Sequence, residues 1–126
     1  MHKSRLAGFI IDCETADLEA AAAFWGAALG MRVRRLPDAE GERYVALDDE
    51  RLDLHIEVQA VTHPSRVHLD IEADDIDKEV GRLRQLGATP IEQVGAWWVM
   101  QAPTGQRFCV VQAQSERFES GANEWK

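Results

Sequence analysis

Ile11-Asp12-Cys13-Glu14-Thr15-Ala16-Asp17-Leu18 realigns without a gap onto Leu69-Asp70-Ile71-Glu72-Ala73-Asp74-Asp75-Ile76, 58 residues further along the chain. Both copies run into a helical pattern. Asp17 and Asp75 stand where a helix N-cap is needed, with a side-chain oxygen free to accept from an orphan backbone N–H. A one-faced apolar stripe follows at Leu18, Ala22, Trp25 and Leu29, and again at Ile76, Val80, Leu83 and Leu86. Each helix stops at a Leu-Gly pair, Leu29-Gly30 and Leu86-Gly87, because glycine suits the left-handed residue that closes a helix. Cap, stripe and stop agree twice in register, which marks an internal repeat.

Outward from these segments the chain turns to strand character. Met31–Leu36, Tyr44–Leu47 and Leu52–Val58 follow the first helix; Thr89–Val94, Trp97–Gln101 and Gln106–Gln112 follow the second. Asp48-Asp49-Glu50 and Ala102-Pro103-Thr104-Gly105 supply the turns. The order is β-α-β-β-β, twice, an α+β chain whose two modules form a curved mixed sheet around a pocket. A ferredoxin-like βαββαβ fold is the main competitor and has two strands fewer in each repeated unit. A single domain is expected over 1–114, with modules of about 6–59 and 67–113 joined through Thr62-His63-Pro64-Ser65. Residues 115–126 read as a polar, loosely ordered tail in which Trp125 could instead dock on a partner.

Composition narrows the function classes. The chain has 126 residues, 45% apolar and 29% charged, which suits one soluble domain without a membrane span. The Ala-rich run from Ala20 to Leu29 is too short to cross a bilayer, and no secretory leader is recognisable, so the cytoplasm is the expected compartment. Fourteen basic against 22 acidic side chains give a net charge of −8, a sign that repels nucleic acid and anionic lipid. Cys13 and Cys109 lie in apolar strand settings and read as free buried thiols. No phosphate loop, Cys-x-x-Cys or nucleophile elbow occurs, and the serines lie in termini or linkers.

Asp17-Leu18 with Phe24-Trp25 and Leu29-Gly30 resembles the first helix of the vicinal-oxygen-chelate superfamily, which includes glyoxalases, bleomycin-resistance proteins and dioxygenases. Val67-His68-Leu69-Asp70-Ile71, Leu86-Gly87-Ala88 and Pro103-Thr104-Gly105-Gln106-Arg107-Phe108-Cys109 are similar to the second module of its glyoxalase-like branch. The resemblance covers residues 6–113. It implies the doubled βαβββ fold, homodimerisation, and a pocket that holds a divalent ion in some members and a metal-free ligand in others. Of the four ligand positions of metal-dependent members, only the third is intact, as His68. The first falls on Ile10 or Gly8, the second at or near His55, and the fourth on Cys109.

Strand alternation sorts the remaining side chains. Val67, Leu69 and Ile71 should pack on the helices, with His68, Asp70 and Glu72 on the pocket face; the repeat carries this over to Ile10, Asp12 and Glu14. Phe108 and Val110 should face the helices, leaving Arg107, Cys109 and Val111 inward, joined by Trp98 and Met100 or by Trp97 and Val99. The candidate ligand-binding set is therefore Asp12, His55, His68, Asp70, Trp98, Met100, Arg107 and Cys109. His68 and Asp70 are the candidate acid and base. Asp12 and Asp70 would attract a cationic ligand, or each would pair with an arginine such as Arg107. His55, His68 and Cys109 have the donor types for Zn, Ni, Fe or Mn, but the favoured reading is metal-free: an exposed strand histidine, a pocket-wall histidine and a small core thiol respectively. Two functions follow: metal-free binding of a cationic or amphipathic small molecule, or a glyoxalase-type lyase or isomerase acting on a small carbonyl compound.

Overall fold

The computed structural model describes residues 1–126. The elements run β1 (His2–Glu14), α1 (Leu18–Leu29), β2 (Arg32–Arg35), a 3₁₀ turn (Asp38–Glu42), β3 (Tyr44–Asp48), β4 (His55–Val61), β5 (Arg66–Ala73), α2 (Ile76–Gln85), β6 (Thr89–Val94), β7 (Trp97–Gln101), β8 (Arg107–Gln112), α3 (Phe118–Gly121) and β9 (Asn123–Trp125). Two βαβββ modules are thus present, β1 to β4 and β5 to β8, and the fold is α+β as the repeat implied. The chain divides into two compact units, one of Phe9–Val67 and one of Met1–Gly8 with His68–Lys126. No helix is long and apolar enough to cross a membrane.

In the unit of Phe9–Val67 the strands are ordered β2-β3-β4 followed by the second half of β1. Asp17 caps α1 by accepting from the Ala20 amide at 3.1 Å, and Gly30 ends it at φ 69°. Leu47, Ile56 and Val58 form the core, against which Phe9, Cys13, Leu18, Ala21, Trp25 and Val33 pack. Gly26 is required by this packing: a Cβ there would lie 2.8 Å from Val33 Cγ2. Leu29, at the end of the expected stripe, is 41% exposed instead, since it belongs to the helix's last turn.

In the other unit the order is β5-β8-β7-β6, with β8 parallel to β5 and antiparallel to β7. Asp75 caps α2 by accepting from the Lys78 amide at 3.0 Å. Ala73, Val80, Leu83, Met100 and Val110 make the core, and Ile71, Trp98 and Phe108 pack on it. Two expectations fail on this face. Val67 and Leu69 are 59% and 52% exposed, because α2 covers only the Ile71 end of β5. Trp98 and Met100 belong to the helix-facing core rather than to the opposite surface.

The tail is ordered. β9 pairs antiparallel with the start of β1, His2 opposite Trp125 and Ser4 opposite Asn123. Trp125 Nε1 donates to Ser4 Oγ at 2.8 Å, and the Arg82 guanidinium lies 3.9 Å above the Trp125 ring. Beneath them Glu79 of α2 is fully buried. Its carboxylate accepts from His2 Nε2 at 2.7 Å, from Ser4 Oγ at 2.7 Å, and from Arg82 Nε and Nη2 at 2.8 Å each. Burial opposes ionisation of Glu79, but the hydrogen bonds from Arg82, His2 and Ser4 outweigh it and hold its carboxyl at about 2. Polar side chains near the end of the chain therefore form a satisfied network and not a solvated coil.

Candidate functional site

The surface of β5, β8 and β7 opposite α2 is assembled by strand register. Asp70 lies across from Cys109 on β8, and Cys109 across from Val99 on β7. One rung away Arg107 faces Gln101, and in the other direction Glu72 faces Val111. Residues directly opposite share a face, so this surface carries Asp70, Glu72, Arg107, Cys109, Val99 and Gln101, and by alternation His68 and Trp97.

The hairpin turn sets this register. The Ala102 amide donates to Gln106 O at 2.8 Å and the Gly105 amide to Ala102 O at 2.9 Å, so Gln101 must oppose Arg107. Counting back from that turn places Val99 beside Cys109 and Trp97 on the same face. The signal was present in Ala102-Pro103-Thr104-Gly105, whereas the Trp97-Trp98 pair offers no alternation to read.

Three donor side chains converge here. A nitrogen of His68, a carboxylate oxygen of Asp70 and Cys109 Sγ all lie within 4.8 Å of one another. His68 Nε2 is 3.4 Å from Asp70 Oδ1. Asp70 and Cys109 are each 7% exposed, and Asp70 Oδ1 is shut off from solvent with no hydrogen bond. A buried carboxylate oxygen in that state costs free energy that a ligand's cation or donor would recover. Alongside, Glu72 is held by Arg5 Nε at 2.8 Å and by the amides of Gln114 and Ser115. Burial pushes the Glu72 carboxyl up, and hydrogen bonds from Ser115, Arg5 and Gln114 bring it below the usual range.

The other candidates belong to the Phe9–Val67 unit. Asp12 is 2% exposed with Arg66 Nε 3.8 Å away, so its arginine is Arg66 and not Arg107. His55 is exposed on β4, its Nε2 3.4 Å from Glu57 Oε2. Ile10, which with Gly8 is one of the two residues expected at the first ligand position, is a buried apolar residue. The donor that joins His68 and Cys109 is thus Asp70. Nitrogen, oxygen and thiolate sulfur suit a borderline divalent ion, and bonds of about 2.0–2.3 Å would need donors roughly 3.3–3.8 Å apart. Closing the widest separation by about 1 Å, a side-chain rotamer adjustment, would bring the three into range.

Two βαβββ modules with the second module's first-strand histidine in place define a protein of the vicinal-oxygen-chelate type. Residues 8–111 match the family described as glyoxalase-like domain, and the chain belongs to that family. Among solved structures it is similar to methylmalonyl-CoA epimerase from Mycobacterium tuberculosis, at 17% identity over 88% of this chain and 91% of that one, with a TM-score of 0.57. A Streptomyces coelicolor methylmalonyl-CoA epimerase matches at 14% identity over 89% and 97%, TM-score 0.52. A glyoxalase/bleomycin resistance protein/dioxygenase superfamily member from Vibrio splendidus matches at 14% over 87% and 99%, TM-score 0.51. At such identities the likeness is one of fold. No curated protein sequence matches the chain.

Proposed function

We propose that this chain binds a small organic molecule on the β5–β8–β7 surface, and that Asp70 takes the ligand's positively charged or hydrogen-donating group. The buried, unbonded Oδ1 of Asp70 carries this reading. A cation placed against it gains a charge-assisted hydrogen bond at an oxygen that water does not reach. Val99 beside Cys109 and Trp97 at the rim supply apolar area for the body of an amphipathic ligand. The net charge of −8 favours the approach of such a cation from a distance. Calorimetry with benzylammonium tests it: Asp70→Asn should weaken binding by about tenfold, the worth of one charge-assisted contact. Unchanged affinity in the variant would refute the role of Asp70.

A second reading rests on the donor set. His68, Asp70 and Cys109 would hold a divalent ion, which would supply Lewis-acid polarisation of a bound carbonyl, the chemistry of a glyoxalase-type lyase or isomerase. In that case His68 and Asp70 fix the metal, and proton transfer falls to another group on the face. Elemental analysis of protein purified without an affinity tag separates the readings. Stoichiometric Zn, Ni, Fe or Mn that disappears in His68→Ala supports the metal enzyme; metal-free protein that binds benzylammonium supports the first.

A further inference from the structure

Three arginines of this chain are partly buried, Arg5, Arg82 and Arg107. Two of them hold a carboxylate: Arg5 Nε is 2.8 Å from Glu72, and Arg82 clasps Glu79 through two nitrogens. Arg107 holds none. Its guanidinium makes one hydrogen bond, from Nε to Gln101 Oε1 at 2.9 Å, and its two Nη nitrogens remain accessible to solvent. Among the partly buried arginines it is the one without a carboxylate, in a chain with 22 acidic side chains. Of the acids on this face, Glu72 is held by Arg5, and Asp70 Oδ1 lies 3.4 Å from His68 Nε2 without a hydrogen bond.

The consequence is a preorganised anion site. Gln101 lies directly across from Arg107 and fixes the guanidinium plane through Nε. The free edge is the pair of Nη groups, whose parallel N–H bonds match the two oxygens of a carboxylate. Partial burial raises the value of such a pair over one in open water, and a neutral amide as the only partner leaves the positive charge uncompensated. Asp70 sits one rung further along, opposite Cys109. Two residues along a strand span about 6.7 Å and the step to the neighbouring strand about 4.8 Å, so the two backbone positions lie roughly 8 Å apart on the diagonal.

Resting on the reading that Asp70 takes the cationic end of a ligand, we infer that Arg107 binds a carboxylate of the same molecule. The ligand class is a small zwitterion, a carboxylic acid bearing an amine, with its two charges spaced to match one rung along and one strand across, roughly 8 Å. Arg107 sets that specificity by rejecting amines that lack the acid, since an unmatched guanidinium then stays uncompensated.

Three probes on the full chain test the assignment: benzylammonium, benzoate and 4-(aminomethyl)benzoate, each titrated by calorimetry. The zwitterion should bind about tenfold more tightly than either singly charged probe. Arg107→Met should cost benzoate about tenfold and tighten benzylammonium, because it removes a repelling positive charge, so that the zwitterion loses its advantage over benzylammonium, while Arg107→Lys restores part of the benzoate affinity. Benzylammonium binding with no benzoate binding by the wild-type protein overturns the Arg107 inference and leaves the Asp70 reading standing. Benzoate binding without benzylammonium binding overturns the Asp70 reading and with it the zwitterion, leaving Arg107 as a carboxylate site alone. Binding of neither probe refutes both, and these arms need no variant to fold.

Discussion

The two helices of the repeat carry the same aspartate N-cap, yet they bury opposite chemistry. Ala21 on α1 and Glu79 on α2 are equivalent by the 58-residue shift. Ala21 packs against the apolar core of Leu47, Ile56 and Val58. Glu79, fully buried, gathers His2, Ser4 and Arg82 around its two oxygens. A βαβββ module therefore tolerates a charge under its helix when hydrogen bonds meet both oxygens, here from Arg82 on the same helix and from His2 and Ser4 on β1. The sheet surfaces diverge in the same way: Ile10 in the first module stands where His68 stands in the second.

Making α2 resemble α1 should have the largest effect. Glu79→Ala leaves the Arg82 charge and the His2 and Ser4 groups without their acceptor, and should cost about 3–5 kcal/mol by urea denaturation, the range for breaking a buried pair. The same residue sets the acid response. Its folded value of about 2 lies below the ordinary 4.5, so its stabilisation is complete above pH 4.5 and is lost as pH falls toward 2. That loss is about 3 kcal/mol at most. Glu79→Gln should flatten the stability profile in this window; an unaltered profile would mean that other carboxylates govern acid unfolding.

Trp125→Ala tests whether β9 belongs to that network. It removes the hydrogen bond to Ser4 and the stacking of Arg82, together about 2 kcal/mol. Hydrogen exchange should rise at the amides of Ser4 and Trp125 while those of α1 stay protected. The smallest effect sharpens the likeness of the helices. Asp17→Ala and Asp75→Ala should each cost about 1 kcal/mol by thermal melting, since the caps are alike. Clearly unequal losses would show that the repeated caps are not energetically equivalent.

The features legible in the sequence are those that local chemistry decides. Caps at Asp17 and Asp75, the left-handed stop at Gly30 and the alternation of His68, Asp70 and Glu72 are governed by neighbours a few residues away. Glu79 was not legible, because a glutamate in the first turns of a helix ordinarily faces water, and its partners His2 and Ser4 lie more than 70 residues away in sequence. Val67 and Leu69 were read as core from alternation alone, which distinguishes two faces but not whether a helix covers the whole of one. Asp70 was expected on the pocket face, and its adjacency to Cys109 needed the parallel pairing of β5 with β8, a contact between strands separated by α2 and a hairpin.

The pairing of β9 with β1 has a topological consequence. His2 and Trp125 are cross-strand partners, so their Cα atoms are about 5 Å apart. Residues at the two ends of this chain can be bridged by a short loop, and the molecule can be opened elsewhere, for instance in the exposed turn at Gly95, without breaking a strand of either module. Sequence order and spatial order are separable in this protein, and a circularly permuted version would carry its new ends far along the chain from the seam that Trp125 now seals.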